Sequence, residues 1–282
     1  MTDNLGLFDT PETIAPEPPA EPISRPGEVY LLGPHRLVCG DARDPLIVAL
    51  ALHGERPAIM VTDPPYGTET DLTWRDERAP MRPGFLAPGK QVANASPHHV
   101  ANDDVWDWSE VYRLGGARVA YVWHAHFYGG EVKQSLVAAG FDPRQPIIWN
   151  KRVHALSRSH YQWKHEACWY AVAKGETADW RGGRDQMTVW DEVSPRMAFG
   201  QGAGDGYRTM HPTQKPVSLW ERAIVNHTDE GALVFDPFGG SGVALIAAAR
   251  SKRRAALIEL SPMWCDVIRA RWADYNGERW PG

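Results

Sequence analysis

Ala232-Leu233-Val234-Phe235-Asp236-Pro237-Phe238-Gly239-Gly240-Ser241-Gly242 passes from a strand-like run through a glycine-rich turn into the helix-like run Val243 to Arg250. A short apolar run bounded by turn residues has the pattern of a strand covered on both faces. Glycines between strand and helix let backbone approach a ligand closely, and they aim the first N–H groups of the helix at it. Arg254 to Leu260 forms the next strand and places Glu259 twenty residues beyond Gly239. An acid at that distance is positioned to bind ribose hydroxyls. Strand, turn, helix and strand in this order predict an α/β domain with ligands at the carboxyl ends of its strands.

A second strand-like run, Ala58-Ile59-Met60-Val61-Thr62, leads into Asp63-Pro64-Pro65-Tyr66. The two prolines fix two φ angles and remove two N–H donors, while their carbonyls remain acceptors. One stiff turn thus presents a carboxylate, a bare carbonyl and an aromatic face. That set suits a planar base with an exocyclic amino group: Asp63 and the Pro64 carbonyl each accept one amino hydrogen, and Tyr66 stacks on the ring. Taken alone, the four residues read first as a β-turn opened by an Asp; their combination with the 236–242 turn reverses that order in favour of the ligand reading. The dinucleotide fingerprint G-x-G-x-x-G is absent here, and the shorter glycine turn offers little for a pyrophosphate. It suits S-adenosyl-L-methionine (SAM), which carries ribose, adenine and an amino-acid tail but no phosphate.

Together with His211-Pro212-Thr213-Gln214-Lys215-Pro216, these two motifs resemble those of the amino-group DNA methyltransferases. The catalytic motif precedes the cofactor motif, the order of the circularly permuted beta class, and phage-borne and orphan adenine-modification methylases look most similar. The resemblance covers roughly residues 27–276. It implies a Rossmann-like SAM-dependent methyltransferase fold, a mostly parallel twisted sheet with helices on both faces. It also implies double-stranded DNA as partner and direct methyl transfer to a flipped-out adenine. By this resemblance Asp63, Pro64, Pro65 and Tyr66 are the catalytic residues. Asp41, His211, Lys215, Asp236, Pro237, Phe238, Gly239, Gly240, Ser241, Gly242 and Glu259 are the cofactor residues, with Lys215 at the methionine tail. His211 either contacts the cofactor or orients its loop, and Asp41 is either a cofactor contact or the N-cap of the helix that follows. Thr213 is expected to cap a helix whose first turn accommodates Pro216. Val243-Ala244 departs from the family, which commonly has hydroxyl residues there, so one cofactor hydrogen bond is in doubt.

Several alternatives stay open at this level. Cytosine's amino group fits the same acceptors, although Asp rather than Ser at position 63 tilts toward adenine. A related protein-glutamine or RNA enzyme would more often carry Asn before Pro-Pro-Tyr. A catalytically silent DNA-binding protein on the same fold is the third class, opposed by intact Asp63, Tyr66, Lys215, Asp236 and Glu259. No Pro-Cys nucleophile like that of ring-carbon cytosine enzymes stands in this reading, in keeping with direct transfer.

The chain has 282 residues, 43% hydrophobic, enough for one sizeable α/β core. Cys39, Cys168 and Cys265 are too few and too scattered for a disulfide framework or a zinc site, and no metal is expected. With no apolar run of membrane length and no basic-then-apolar leader, a cytoplasmic protein is expected. The net charge is −5, unevenly distributed. Residues 1–24 carry five acids, five prolines and no Lys or Arg, and residues 1–26 read as a disordered tail ahead of a domain spanning 27–282. From Arg144 to Arg184 the balance reverses: Lys151, Arg152, Arg158, Lys164, Lys174 and Arg181 interleave with Tyr161, Trp163, Trp169, Tyr170 and Trp180. That composition reads either as a phosphate-tracking surface or as a solvated strand pair over core tryptophans, and the first is favoured for the segment as a whole.

Strands are expected near 28–33, 36–39, 58–62, 117–123, 145–150, 166–173, 232–236 and 254–260, and helices near 44–53, 126–139, 216–227, 242–250 and 262–275. The stretches 67–104 and 151–210 interrupt this alternation and read as DNA-facing insertions, the second as the carrier of target recognition. So short a recognition region suits a small target site or a homodimer, and nothing points to an attached nuclease. A cognate restriction partner is not legible.

Overall fold

The computed structural model describes residues 15–65, 105, 107–155, 160–192 and 215–280. Within them, strands β1 (Val29–Leu32), β2 (His35–Cys39), β3 (Ile59–Thr62), β4 (Val119–His124), β5 (Phe141–Ala155), β6 (Trp163–Ala173), β7 (Val189–Asp191), β8 (Leu233–Asp236) and β9 (Arg254–Glu259) form one sheet. Their spatial order is β1-β2-β9-β8-β3-β4-β6-β5-β7. β2, β9, β8, β3 and β4 run parallel. β1 closes one edge antiparallel, and β6 lies antiparallel between β4 and β5.

Helices cover both faces because the parallel strands are apolar on both. Every residue of β3, β4 and β8 is buried, as expected of parallel strands in an α/β sheet. Side chains alternate between faces with a period of two. Ile59 and Val61 belong to a core shared with α4 (Val217–Val225), α5 (Val243–Arg250) and α6 (Pro262–Tyr275). Met60 belongs to the opposite core, shared with α1 (Pro45–Leu52), α2 (Ser109–Gly115) and α3 (Gly129–Ala138). Val243 through Ala248 are all buried, so α5 is apolar all round and lies inside its layer. The cysteines are free and buried.

The expected α/β architecture is therefore present, with four corrections. The end of the expected disordered tail is docked: the Ile23 and Ser24 N–H groups donate to buried Asp266 of α6 at 2.6 and 3.1 Å, and Ser24 Oγ donates to it at 2.6 Å. Residues 1–14 lie outside the described residues. The stretch 151–210 is not all insertion, since β5 runs on to Ala155, β6 starts at Trp163, and β7 pairs parallel with β5. The helix expected at 126–139 starts with a 3-10 turn over His126–Tyr128, and α2 was not foreseen.

The fourth correction concerns the basic segment. β6 spans eleven residues, about 34 Å at roughly 3.4 Å per residue. Asn150 registers with His165 at one end and Phe141 with Ala173 at the other. Lys151 and Lys164 thus lie toward the edge where the parallel strands end, while Arg144 and Lys174 lie toward the opposite edge. Arg181 is paired with Asp229 ahead of β8, also at that opposite edge. Among the described residues, the basic side chains of the Arg144–Arg184 run are divided between two ends of the sheet and do not form one phosphate-tracking surface.

Candidate active site

β3 and β8 are hydrogen-bonded neighbours, with Ile59 opposite Val234 and Met60 opposite Phe235. Asp63 and Asp236 therefore leave the sheet at the same edge, one strand apart. Thr62 Oγ joins the two motifs by donating to Asp236 Oδ1 at 2.7 Å, and the Phe238 N–H donates to the same oxygen at 3.1 Å. Burial pushes the Asp236 carboxyl up to about 8, against the pull of these two donors.

The glycine turn is pinned against β9. The Gly239 N–H donates to the Ile258 carbonyl at 2.8 Å, and a Cβ on Gly239 would sit 3.2 Å from that oxygen and from the Ile268 side chain. Gly242, the N-cap of α5, has φ of 79°, a left-handed conformation that side chains disfavour. Glu259 at the end of β9 accepts from the Gly240 N–H at 2.7 Å and from the Ser261 N–H at 2.8 Å, one donor on each oxygen. A carboxylate has about four acceptor positions, so capacity remains for ligand hydroxyls. Burial pushes Glu259 up to about 7. Next to it, the Gly40 N–H bonds the Glu259 carbonyl at 2.9 Å, which brings Asp41 to the same edge. Asp41 is not the N-cap of α1; that role falls to Asp44, which accepts from the Leu46 N–H at 2.8 Å, while Asp41 is paired with Arg43.

Asp63 sits in a different electrostatic setting. Its Oδ2 is paired with the Lys215 ammonium. Lys215 itself is buried, lies 3.3 Å from Glu166 Oε2, and is 5.6 Å from the Trp123 ring centroid. Burial raises the Asp63 carboxyl, and Lys215 opposes that push. Burial likewise pushes Lys215 down, but Asp63 and Glu166 outweigh it and hold the ammonium charged. Asp63 Oδ1 is buried with no hydrogen-bond partner, an arrangement that is costly unless a ligand fills it. The Pro65 carbonyl is held by Trp108, whose Nε1–H donates to it at 3.1 Å. Trp108 also packs edge-on against Phe238, ring centroids 4.8 Å apart, so one buried indole touches both motifs.

Of the residues expected from sequence, Asp63, Pro64, Pro65, Lys215, Asp236–Gly242, Glu259 and Asp41 thus gather along one sheet edge. Tyr66, His211 and Thr213 lie outside the described residues. Pro216, not Thr213, is the N-cap of α4, with no side-chain cap. Lys215 stands at the Asp63 carboxylate. Sequence reading missed Thr62, Trp108, Lys151 and Glu166. Glu166 follows Lys164 and His165 at the polar end of its strand run and gave no local signal, and Lys151 was grouped with the DNA-facing basic residues. Among the described residues, no group of three His, Cys, Asp or Glu side chains could hold a metal ion, and no helix is long and apolar enough to cross a membrane.

A family model described as DNA methylase (N6_N4_Mtase) matches residues 58–270. "Putative methylase YubD" of Escherichia coli (strain K12) is 29% identical over 170 residues, 57% of this chain and 67% of that protein. Other curated relatives include type II methyltransferases, and the chain spans as little as 23% of the length of one of them. Among solved structures, the M1.HpyAVI–SAM complex superposes with a TM-score of 0.56 at 17% identity, covering 83% of this chain and 97% of that one. PvuII DNA methyltransferase, described as cytosine-N4-specific, gives a TM-score of 0.57 at 14% identity, covering 89% and 90%. At such identities the superpositions speak for the fold.

Proposed function

The chain belongs to the DNA methylase family of N6/N4 amino-group methyltransferases, and from that premise we propose that it methylates the exocyclic amino group of adenine in double-stranded DNA, with SAM as methyl donor and the permuted motif order of the beta class. The observation that carries this reading is the pairing of β3 with β8. It sets Asp63, with one unpartnered carboxylate oxygen, beside the glycine turn and Glu259.

The residues present fit SAM. Glu259 retains acceptor capacity for ribose hydroxyls, the Gly239–Gly242 turn leaves room for close backbone approach, and Asp236 braces the turn from beneath. When bound, SAM supplies an electrophilic sulfonium methyl group. The remaining task falls to the protein, because an aromatic amine is a poor nucleophile whose lone pair is delocalised into the ring. Asp63 Oδ1 and the Pro64 carbonyl would accept hydrogen bonds from its two N–H groups and favour a tetrahedral nitrogen, freeing the lone pair to take the methyl group in line as that group's bond to sulfur breaks and one amino proton is released. Trp108 fixes the turn that carries both acceptors, so the acceleration comes from positioning and preorganised polar groups.

Extruding the base costs a few kcal/mol, and stacking on one aromatic ring returns roughly 1–3 kcal/mol. Tyr66 is assigned that stacking role from its place in the motif. Target recognition is assigned to residues 67–104 and to those parts of 151–210 that lie outside the sheet. Methylation of the cytosine amino group is the second reading, since a cytosine-N4-specific enzyme shares the fold. Base-resolved modification sequencing of plasmid DNA treated with the purified protein and SAM tests the proposal. Modified adenines in one short motif support it, modified cytosine amines transfer it to the second reading, and unmodified DNA with SAM bound contradicts both.

A further inference from the structure

Asp63 is the end of a row of four charged side chains that alternate in sign. Lys215 pairs with Asp63 and with Glu166, and Glu166 Oε1 pairs in turn with Lys151. The row crosses the sheet on one face. Glu166 registers opposite Trp149, so Lys151, two residues further along β5, is its diagonal neighbour on the same side. Lys151 Nζ lies 5.2 Å from the Trp149 ring centroid and Lys215 Nζ 5.6 Å from that of Trp123, so an aromatic face flanks each ammonium. Largely buried ion pairs are weak contributors to stability, because desolvation offsets most of their attraction. Four such charges in one row, with exposures of 3–31%, therefore call for a role other than holding the sheet together.

The geometry of Asp63 supplies that role. Lys215 engages Oδ2, while Oδ1 is buried without a partner. An ammonium with a single anionic neighbour is free to swing between both carboxylate oxygens. Glu166, drawing on Lys215 from the other side at 3.3 Å, restrains it, and Lys151 balances the charge of Glu166. We propose that Glu166 and Lys151 are positioning residues: they hold Lys215 against Asp63 Oδ2 alone, which leaves Oδ1 to accept the amino hydrogen of the target base. This rests on the methyltransferase reading given above. The electrostatics agree with the geometry, since Glu166 raises and Lys151 lowers the proton affinity of Asp63. Burial pushes Glu166 itself up, but the two lysines together hold it below the usual carboxylate range.

Opposite signs give a test that a scaffolding role would not pass. The Asp63 carboxyl is titrated by carbon-13 NMR in the full chain, assigned by its loss in Asp63→Asn. Glu166→Gln removes a negative charge from the row and should lower the Asp63 midpoint. Lys151→Met removes a positive charge and should raise it, each by about one pH unit. Lys151→Arg should restore wild-type behaviour. In DNA methylation assays the acid limb of kcat should move in the same opposite directions. For Glu166→Gln, kcat should fall on the order of 10²-fold, with KM for SAM unchanged. Should Glu166→Gln fail to fold, the Lys151→Met and Lys151→Arg pair carries the test. An Asp63 midpoint that stays put in the variants, or moves the same way in both, overturns the inference. Wild-type protein that methylates no DNA overturns the methyltransferase reading instead, and the NMR titration still decides whether the row governs Asp63.

Discussion

The two halves of the crevice bury carboxylates to similar depth and treat them differently. On the β3 side, Asp63 faces an ammonium, and that ammonium faces a second acid. On the β8–β9 side, the donors to Asp236 and Glu259 among the described residues are a hydroxyl and backbone N–H groups, and burial pushes the two acids up to about 8 and about 7. Neutral donors orient a carboxylate without supplying charge, which suits binding of neutral hydroxyls. A fixed cation keeps its partner an acceptor with a set geometry, which suits an amine that must give up its hydrogens. The difference shows that counter-charge, more than depth, decides what a buried acid can do.

The largest expected break of this contrast is Asp63→Ala, which removes the acceptor. Methyl incorporation into DNA should fall on the order of 10³-fold or more, with the fold intact by circular dichroism. Lys215→Met comes next. It strands Asp63 without its cation, and losing one partner of a buried pair costs about 3–5 kcal/mol. Denaturant unfolding should register that loss. Because Lys215 lowers the proton affinity of Asp63, its removal should shift the acid limb of kcat to higher pH. Trp108→Phe retains the packing on Phe238 and loses only the bond to the Pro65 carbonyl. One hydrogen bond of about 1 kcal/mol predicts roughly a fivefold loss in single-turnover rate.

The smallest effect is read in thermal melts of the ligand-free protein. The Asp236 carboxyl lies at about 8 in the fold against an ordinary 3.8. Its contribution to stability is therefore fully present below about pH 4 and is lost as pH rises through about 8. Asp236→Asn keeps a hydrogen-bond acceptor and cannot ionise. Between pH 5.5 and 8.5, wild-type Tm should fall a few degrees more than that of the variant. Equal slopes would remove the neutral-donor half of the comparison.

Legibility in the sequence followed the range of the interactions. The β3 and β8 motifs were readable because strand, turn and helix signals lie side by side in the chain, and their shared edge followed from parallel α/β geometry. The ends of the β5–β6 hairpin and all of β7 were not, because polar residues such as Lys151, Lys164 and Asp191 become strand only by pairing with a distant partner. The docking of Ser24 on Asp266 spans 242 positions and left no local mark in a proline-rich stretch. Trp108 carried no signal in the sequence, since its bond to Pro65 reaches across 43 positions. Lys215 was identified as functional through its motif, yet its partner Glu166 could be recognised only once β6 was laid beside β4.

The most direct test of the division between the two half-sites is calorimetric titration of SAM into Asp63→Ala and Glu259→Ala under identical conditions. Asp63→Ala should bind with wild-type affinity. Glu259→Ala should bind at least about tenfold more weakly, the loss of a hydrogen bond to a charged group. The reverse pattern, or equal losses in both, would contradict the assignment of one carboxylate to the target amine and the other to the methyl donor.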